Sequence, residues 1–311
     1  MTHRKRKKPT EKKKKPADAM ILVISDGKSF FGTGIAFEIY LKEDKHKKAL
    51  EGKKIGDILD GKEIDLPGYL FRISGATDKY GFMHHPSVEG SELRKVLLSE
   101  PPGIRHTRYK VEKRGGGYRI VNLRGIPRKK TVRGNRICEH TRQVNLVVLF
   151  RRGRSIKEMS KESILSDRIL SPLAEKLGYL VLKNGLYRVR FVSDGQTVRL
   201  GERLKELGVS DDIIRKMSID LGVELIKRGR KLIWSVVRPV LKCRSDTDFA
   251  KFVGKTLYDL YKGLSSGTVS LEDADHIVSE IVEKIVKAAE EAMSGRLRVQ
   301  FRFKIKEAQA Q

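Results

Sequence analysis

Arg128-Lys129-Lys130-Thr131-Val132-Arg133-Gly134-Asn135, followed a few residues later by Val144-Asn145-Leu146-Val147-Val148-Leu149-Phe150, puts a dense run of cations directly ahead of an apolar strand pattern. Outward from it, the span Pro101–Arg154 holds sixteen Arg or Lys residues against two acids, Glu112 and Glu139. A block of like charge ordinarily stays unfolded, because it repels itself and buries nothing. Here Ile104, Tyr109, Val111, Tyr118, Ile120, Val121, Leu123 and Val132 are interleaved with the charge, so the block can fold. A folded surface this positive calls for a polyanion beside it, and nucleic acid is the first candidate.

The chain has 311 residues, room for two domains with a core each, and a formal net charge of +27. The excess is uneven. Residues 1–20 carry +7, residues 21–100 carry −1, residues 101–154 carry +14 and residues 155–311 carry +7. A membrane surface would need an amphipathic or lipidated element beside the bases, and no apolar run approaches membrane-spanning length. Cys138 and Cys243 have no partner cysteine at metal-ligand spacing, which argues against a disulfide framework or a zinc ribbon and for a reducing cytosol. The basic start is followed by Pro16 and Asp18 rather than an apolar core, so it does not read as a secretory signal. Sparse Asn, Gln, Cys and Met with abundant Lys, Arg and Glu lean towards a heat-adapted organism.

Turn signals divide the chain further. Residues 1–19 form a lysine-rich tail expected to be disordered, a true extension or the product of a start codon placed too early. From Met20 the signals are short strands: Met20–Ser25, Ala36–Leu41, Tyr69–Ile73, Arg94–Leu98, Tyr118–Leu123 and Val144–Phe150. They suggest a mostly-β small barrel or sandwich over residues 20–154. Residues 157–163 read as a linker. Residues 163–311 read as an α+β domain of hairpins and helices. A helix over residues 163–177 is broken at Ser171-Pro172, and Asn184-Gly185 turns one hairpin of a meander over 179–200 with Ser193-Asp194-Gly195 turning the next. Ser210 caps a helix over Asp211–Leu221 with Gly222 just past its end, and Arg228-Gly229 turns a further hairpin between Val223–Lys227 and Lys231–Val237. A helix spans Asp246–Lys262, and Ser270 caps another reaching Met293. The final stretch alternates Leu297, Val299, Phe301, Phe303 and Ile305 with Arg296, Arg298, Arg302, Lys304 and Lys306, the pattern of a strand with one apolar and one basic face.

Three stretches, in order over roughly residues 20–153, carry a resemblance: Gly52-Lys53-Lys54-Ile55-Gly56-Asp57, Gly68-Tyr69-Leu70-Phe71-Arg72-Ile73-Ser74-Gly75-Ala76-Thr77-Asp78-Lys79-Tyr80-Gly81-Phe82-Met83, and Arg128–Asn135 running on into Val144-Asn145-Leu146. Together they resemble ribosomal small-subunit protein six of archaea and eukaryotes, with the first stretch most like the archaeal members. The resemblance implies a compact β-rich domain bound to small-subunit ribosomal RNA beside neighbouring ribosomal proteins. It implies a cytoplasmic, ribosomal location and no catalysis. It marks Lys79, Arg128, Lys129, Lys130 and Arg133 as RNA-facing, and Gly75, Gly81 and Gly134 as turn glycines. Ala76 stands where the family usually has glycine, a usual proline between Phe82 and Met83 is missing, and Lys110–Ile126 looks inserted. Residues 155–311 lie outside the resemblance.

Charge alone adds Arg105, Arg108, Arg114, Arg119, Arg124, Arg136, Arg151 and Arg152 to the candidate RNA contacts, with Arg298, Arg302 and Lys304 of the last strand as a second patch. That strand's bases could equally keep an edge soluble. Gly115-Gly116-Gly117 either turns a hairpin or lets the backbone approach a phosphate. Tyr109 and Tyr118 could stack on unpaired bases or be plain core or surface aromatics. Gly27-Lys28-Ser29 and Gly254-Lys255-Thr256 lack the upstream glycine of a phosphate loop, since Leu22 and Phe249 stand there. Gly32-Thr33-Gly34 has Phe37 where the dinucleotide fingerprint needs glycine. His84-His85 has no third ligand at a supporting spacing, and Cys243 has no recognisable base.

The sequence therefore predicts a non-enzymatic ribosomal protein without cofactor, metal, membrane or small-molecule partner. The alternative is an RNA-anchored two-module protein whose second half is an enzyme or a protein-interaction unit.

Overall fold

A computed structural model describes residues 19–104, 107–123, 125–193, 196–242, 248–271 and 274–294. In chain order the first half runs β1 (Met20–Ser25), β2 (Ala36–Leu41), α1 (Asp44–Leu50), β3 (Ile58–Asp60), a 3-10 turn (Gly61–Ile64), β4 (Tyr69–Asp78), β5 (Leu93–Leu98), β6 (Thr107–Glu112), β7 (Tyr118–Leu123), β8 (Arg128–Arg133) and β9 (Thr141–Arg151).

Five of these strands form one sheet in the order β2-β1-β9-β4-β3, with β1 and β9 parallel and the other pairs antiparallel. Strand alternation builds its core. Leu22 and Ile24 lie beside Val144 and Leu146, and Phe71 and Ile73 beside Val148 and Leu146, all essentially without solvent exposure. Gly75 is not in a turn. It marks an irregularity in the β4–β9 register, after which Ala76 pairs with Val144 and returns to the core face.

Among the described residues the sheet is open, not the small barrel expected from the strand count. The missing strands account for this. β5 pairs with β8 and β6 with β7, so four strands leave the sheet and build two ribbons instead. The ribbons follow one another along the same two chain segments, making a long hairpin arm with its tip at Lys113–Gly117. Gly116 and Gly117 have φ of 82° and 81°, so this triplet turns a hairpin.

The second half is far more helical than the sequence suggested. It comprises a 3-10 turn (Ile156–Glu158), α2 (Lys161–Ser166), α3 (Leu170–Arg188), β10 (Arg190–Ser193), β11 (Gln196–Arg199), α4 (Leu200–Glu206), α5 (Asp211–Arg228), α6 (Arg230–Lys242), α7 (Asp248–Ser265) and α8 (Ala274–Met293). Of the expected meander over 179–200 only the β10–β11 pair is present among the described residues. Asn184-Gly185 lies inside α3, where Gly185 lets α7 approach: a Cβ there would come within 2.5 Å of Val253 Cγ1. Ser210 does cap α5 by accepting from the Ile213 amide, but the helix continues through Gly222 to Arg228. Gly222 is a crossing point, since a Cβ on it would lie 1.9 Å from the Ala174 carbonyl oxygen of α3, and one on Gly178 would lie 1.6 Å from that of Ser218. The Arg228-Gly229 hairpin is instead a helix–helix corner, with Gly229 at φ 90°. Pro172 is no break; it lies in the first turn of α3, where its missing N–H is not needed. The 157–163 linker holds the 3-10 turn, the start of α2 and buried Met159. The tail before Ala19 and the final strand lie outside the described residues.

The two halves interlock. Asp26 at the end of β1 is buried and accepts hydrogen bonds from the amides of Phe31 (2.8 Å), Gly32 (3.2 Å) and Thr33 (2.8 Å) and from the Thr33 hydroxyl. That loop carries Phe31 and Ile35 into the helical core with Met159, Ile164, Leu173 and Leu177. In return Ile169 joins the sheet's core.

Candidate nucleic-acid interface

The base of the arm is held by charge. Arg133, on the last position of β8, is 5% exposed, and its guanidinium pairs with Asp78 at 3.0 Å while also donating to the Ser91 carbonyl at 2.9 Å. The Asp78 carboxylate accepts from the Tyr80 and Phe82 amides at 2.9 and 2.8 Å, closing the turn in which Gly81 takes φ 89°. Gly134, like Gly75, is not a turn glycine with positive φ. A Cβ there would lie 2.1 Å from the Gly90 carbonyl oxygen, so it admits a close backbone approach. His84 is buried beside this pair, with Nδ1 2.7 Å from the Gly134 carbonyl and Nε2 3.1 Å from the Thr141 hydroxyl. Burial pushes its pKa below the ordinary imidazole range, outweighing the Gly134 hydrogen bond and reinforced by Arg133, so the ring is neutral at pH 7.

Arg133 is therefore a correction to the expected RNA-facing set. A guanidinium committed to a buried carboxylate and a carbonyl is not presented to phosphate. Arg151 is engaged more loosely, with no hydrogen bond from its Nε. It lies 3.5 Å from Asp167 and over the Tyr69 ring, and the Tyr69 hydroxyl donates to Asp167 at 2.8 Å. Burial first, then the Asp167 carboxylate, pushes the Tyr69 phenol well above its usual pKa, so it remains a donor.

Further out the arm has solvent on both faces, so Arg128, Lys129 and Lys130 are exposed although they alternate along β8. Their partners in β5 are Leu98, Leu97 and Val96, with Leu97 64% exposed. β5 also brings Arg94 and Lys95 to this ribbon. Neither was in the expected set; the signal was their place opposite Val132 and Thr131, which needs the register to be seen. On the outer ribbon Arg114 and Arg119 are exposed beside Tyr118 and Ile120, each 64% exposed. Arg108 lies on β6.

The remaining expected residues are dispersed. Exposed Lys79 lines a shallow groove with Lys47, Lys48 and Arg142 against Asp44, Glu51 and Glu139. Arg136 is exposed near Glu89, whose carboxyl Lys54 holds below its usual range by a 2.9 Å hydrogen bond. Arg152 is exposed, 3.8 Å from Asp60. Arg105, Arg124, Arg298, Arg302, Lys304 and Cys243 lie outside the described residues.

One group could be read as a metal centre. Glu43 and Asp65 flank buried His46, with Asp65 3.0 Å from Nε2 and Glu43 3.8 Å from Nδ1. The carboxylates face opposite nitrogens of one ring, an arrangement that clamps the imidazole between α1 and the 3-10 turn.

An open sheet carries a long, cation-rich β ribbon anchored by a buried ion pair at its base, a surface whose charge is complementary to a polyanion. The family is shown by comparison: a model described as Ribosomal protein S6e matches residues 20–161, and the chain belongs to that family. It is similar to the small ribosomal subunit protein eS6 of Methanocaldococcus jannaschii, at 37% identity over 137 residues, covering 44% of this chain and 87% of that one. The protein of the same description in Methanosphaera stadtmanae is 33% identical over 120 residues, covering 39% and 81%. That of Hyperthermus butylicus is 42% identical over 101 residues, covering 32% of this chain and 40% of its own length.

Proposed function

We propose that this chain is a structural constituent of the small ribosomal subunit, in the cytoplasm, that docks on ribosomal RNA through the outer part of its β arm. Residues 20–154 act as the RNA-binding unit, residues 1–19 as a basic tail, and residues 163–311 as an accessory unit tied to it through the shared core. Neighbouring ribosomal proteins are its further partners. The family portion is structural rather than enzymatic, and the same reading extends to the helical half.

The observation that carries the reading is the division of labour along β8. Arg133 is buried to hold the arm, while Arg128, Lys129 and Lys130 are exposed on its outward part. Over the whole arm, Leu93–Arg133, thirteen bases face two acids. Such a surface binds by neutralising phosphates and releasing counterions, with the shape of the ribbon selecting the RNA fold. Lys79, Arg108, Arg114, Arg119, Arg136 and Arg152 extend the contact, together with Arg105, Arg124, Arg298, Arg302 and Lys304.

The test is incorporation into small subunits of a chain carrying Arg128→Glu, Lys129→Glu and Lys130→Glu, followed by sedimentation at rising salt. The altered chain is expected to leave the subunit at moderate salt while the native chain stays. Native-like retention of the folded triple variant refutes the arm as the binding face.

A further inference from the structure

The corner Arg228-Gly229-Arg230-Lys231, which the sequence reads as a hairpin, opens a helix with an unusual solvent face. α6 contains no acidic residue. Its inward residues Leu232, Ile233, Val236 and Val237 are at most 1% exposed, whereas Arg230, Lys231, Trp234 and Arg238 face solvent. Lys231, Trp234 and Arg238 stand at i, i+3 and i+7, one stripe about 10 Å long. Trp234 is 40% exposed, and the Arg238 guanidinium lies over its ring at 5.1 Å from the centroid. Among the described residues, none of the cations Arg230, Lys231 and Arg238 forms an ion pair; Glu224 and Glu290 in this corner are taken by Arg228.

We propose that the solvent face of α6 is a second RNA contact, in which Lys231 and Arg238 engage backbone phosphates and Trp234 stacks an unpaired base. An indole with a guanidinium on one face is a preformed stacking platform, and RNA readers use such aromatics for splayed bases. A lipid surface fits less well, because Leu232, Ile233, Val236 and Val237 are spent in the core and, among the α6 residues whose burial is described, only Trp234 is an apolar side chain facing solvent. Trp and Arg also suit protein interfaces, but Arg230, Lys231 and Arg238 around one indole, with no acid on α6, give an excess of positive charge that favours a polyanion. The Lys157 side chain reaches the Gly229 corner, and the Arg230 guanidinium reaches the Gly32 loop between β1 and β2. The site rests on RNA being this chain's partner, but not on the arm.

Trp234 is the single tryptophan of the sequence, so its fluorescence reports this site without a label. Full-length protein is titrated with small-subunit ribosomal RNA transcribed in vitro, and quenching of Trp234 by acrylamide is measured. Stacking is expected to lower the acrylamide quenching constant at least about twofold at saturation. Lys231→Gln with Arg238→Gln should reduce the slope of log affinity against log salt by about 2. In the Arg128→Glu, Lys129→Glu, Lys130→Glu chain, protection of Trp234 at raised RNA concentration supports the α6 site whatever becomes of the arm. RNA complexes of the native chain in which Trp234 stays as open as in the free protein overturn the α6 site and leave the arm standing. Protection by phosphatidylglycerol vesicles but not by RNA overturns it in favour of lipid.

Discussion

Gly222→Ala tests the helical half at its tightest point. In an unconstrained helix interior this change favours folding by about 1 kcal/mol, because alanine has less backbone entropy to lose. Here the new methyl would lie 1.9 Å from the Ala174 carbonyl oxygen, 2.5 Å from its carbonyl carbon and 2.9 Å from its Cα, all backbone atoms that no rotamer change can move. Relief to ordinary contact near 3.4 Å needs α3 and α5 to separate by roughly 1.5 Å, far beyond the 0.5–1 Å gap that already forfeits a quarter to a half of a contact's attraction. Leu173, Leu177, Leu221 and Leu225, none more than 1% exposed, flank that crossing and would lose packing with it. Overpacking of this kind costs about 1–3 kcal/mol, so the expected result is a net loss of stability despite the better helix former. The assay is denaturant unfolding followed by circular dichroism and by Trp234 fluorescence. Gly201→Ala in α4 serves as control, because its methyl would meet nothing closer than 3.5 Å, and it is expected to be neutral or stabilising by less than about 1 kcal/mol. A Gly222→Ala chain as stable as the native protein, or more so, refutes the close-crossing argument.

Two further outcomes follow from the base of the arm. Arg133→Met strands the Asp78 carboxylate, whose side chain is fully buried, and should cost about 3–5 kcal/mol in denaturant unfolding, with much of the loss recovered by adding Asp78→Asn. A folded Arg133→Glu chain of native stability that has lost RNA binding alone would return Arg133 to the RNA face. Since burial lowers the His84 pKa in the folded state, the unfolded chain takes up the proton first on acidification. Stability is then full above the ordinary imidazole pKa near 6.5 and falls as pH drops from there through the folded value. Unfolding midpoints measured at about pH 7.5 and pH 5.5 should show this decline, and His84→Gln should flatten it; an unchanged slope in that variant would assign the decline to other groups.

Much of the first half was legible because its signals are local. Met20–Ser25, Ala36–Leu41 and Tyr118–Leu123 are strands as the alternation indicated, and Gly115-Gly116-Gly117 turns a hairpin. Which strands pair was not legible: the same alternation serves a barrel, a sheet or a free ribbon, and β5–β8 take the last course. In the second half Asn184-Gly185 and Gly222 suggest a chain reversal and a helix end, because glycine's tolerance of positive φ is a local property; Arg228-Gly229 does reverse the chain, at φ 90°, but between two helices rather than two strands. At Gly185 and Gly222 the glycine is there for the absence of a Cβ, which matters where another helix passes, and no single segment reveals that.

The sequence by itself determined the family, the concentration of charge and its polyanion partner class, because motif order and net charge are properties of the chain whatever its fold. The tertiary structure decided which cations are exposed. Arg128 and Arg133 are five residues apart in one basic run, yet one is exposed and the other neutralises a buried aspartate, since availability to phosphate depends on what packs beside each side chain. It also turned Lys231–Val237 from the expected second strand of a hairpin into part of α6, whose outer face gathers Lys231, Trp234 and Arg238, a stripe that exists only at helical spacing.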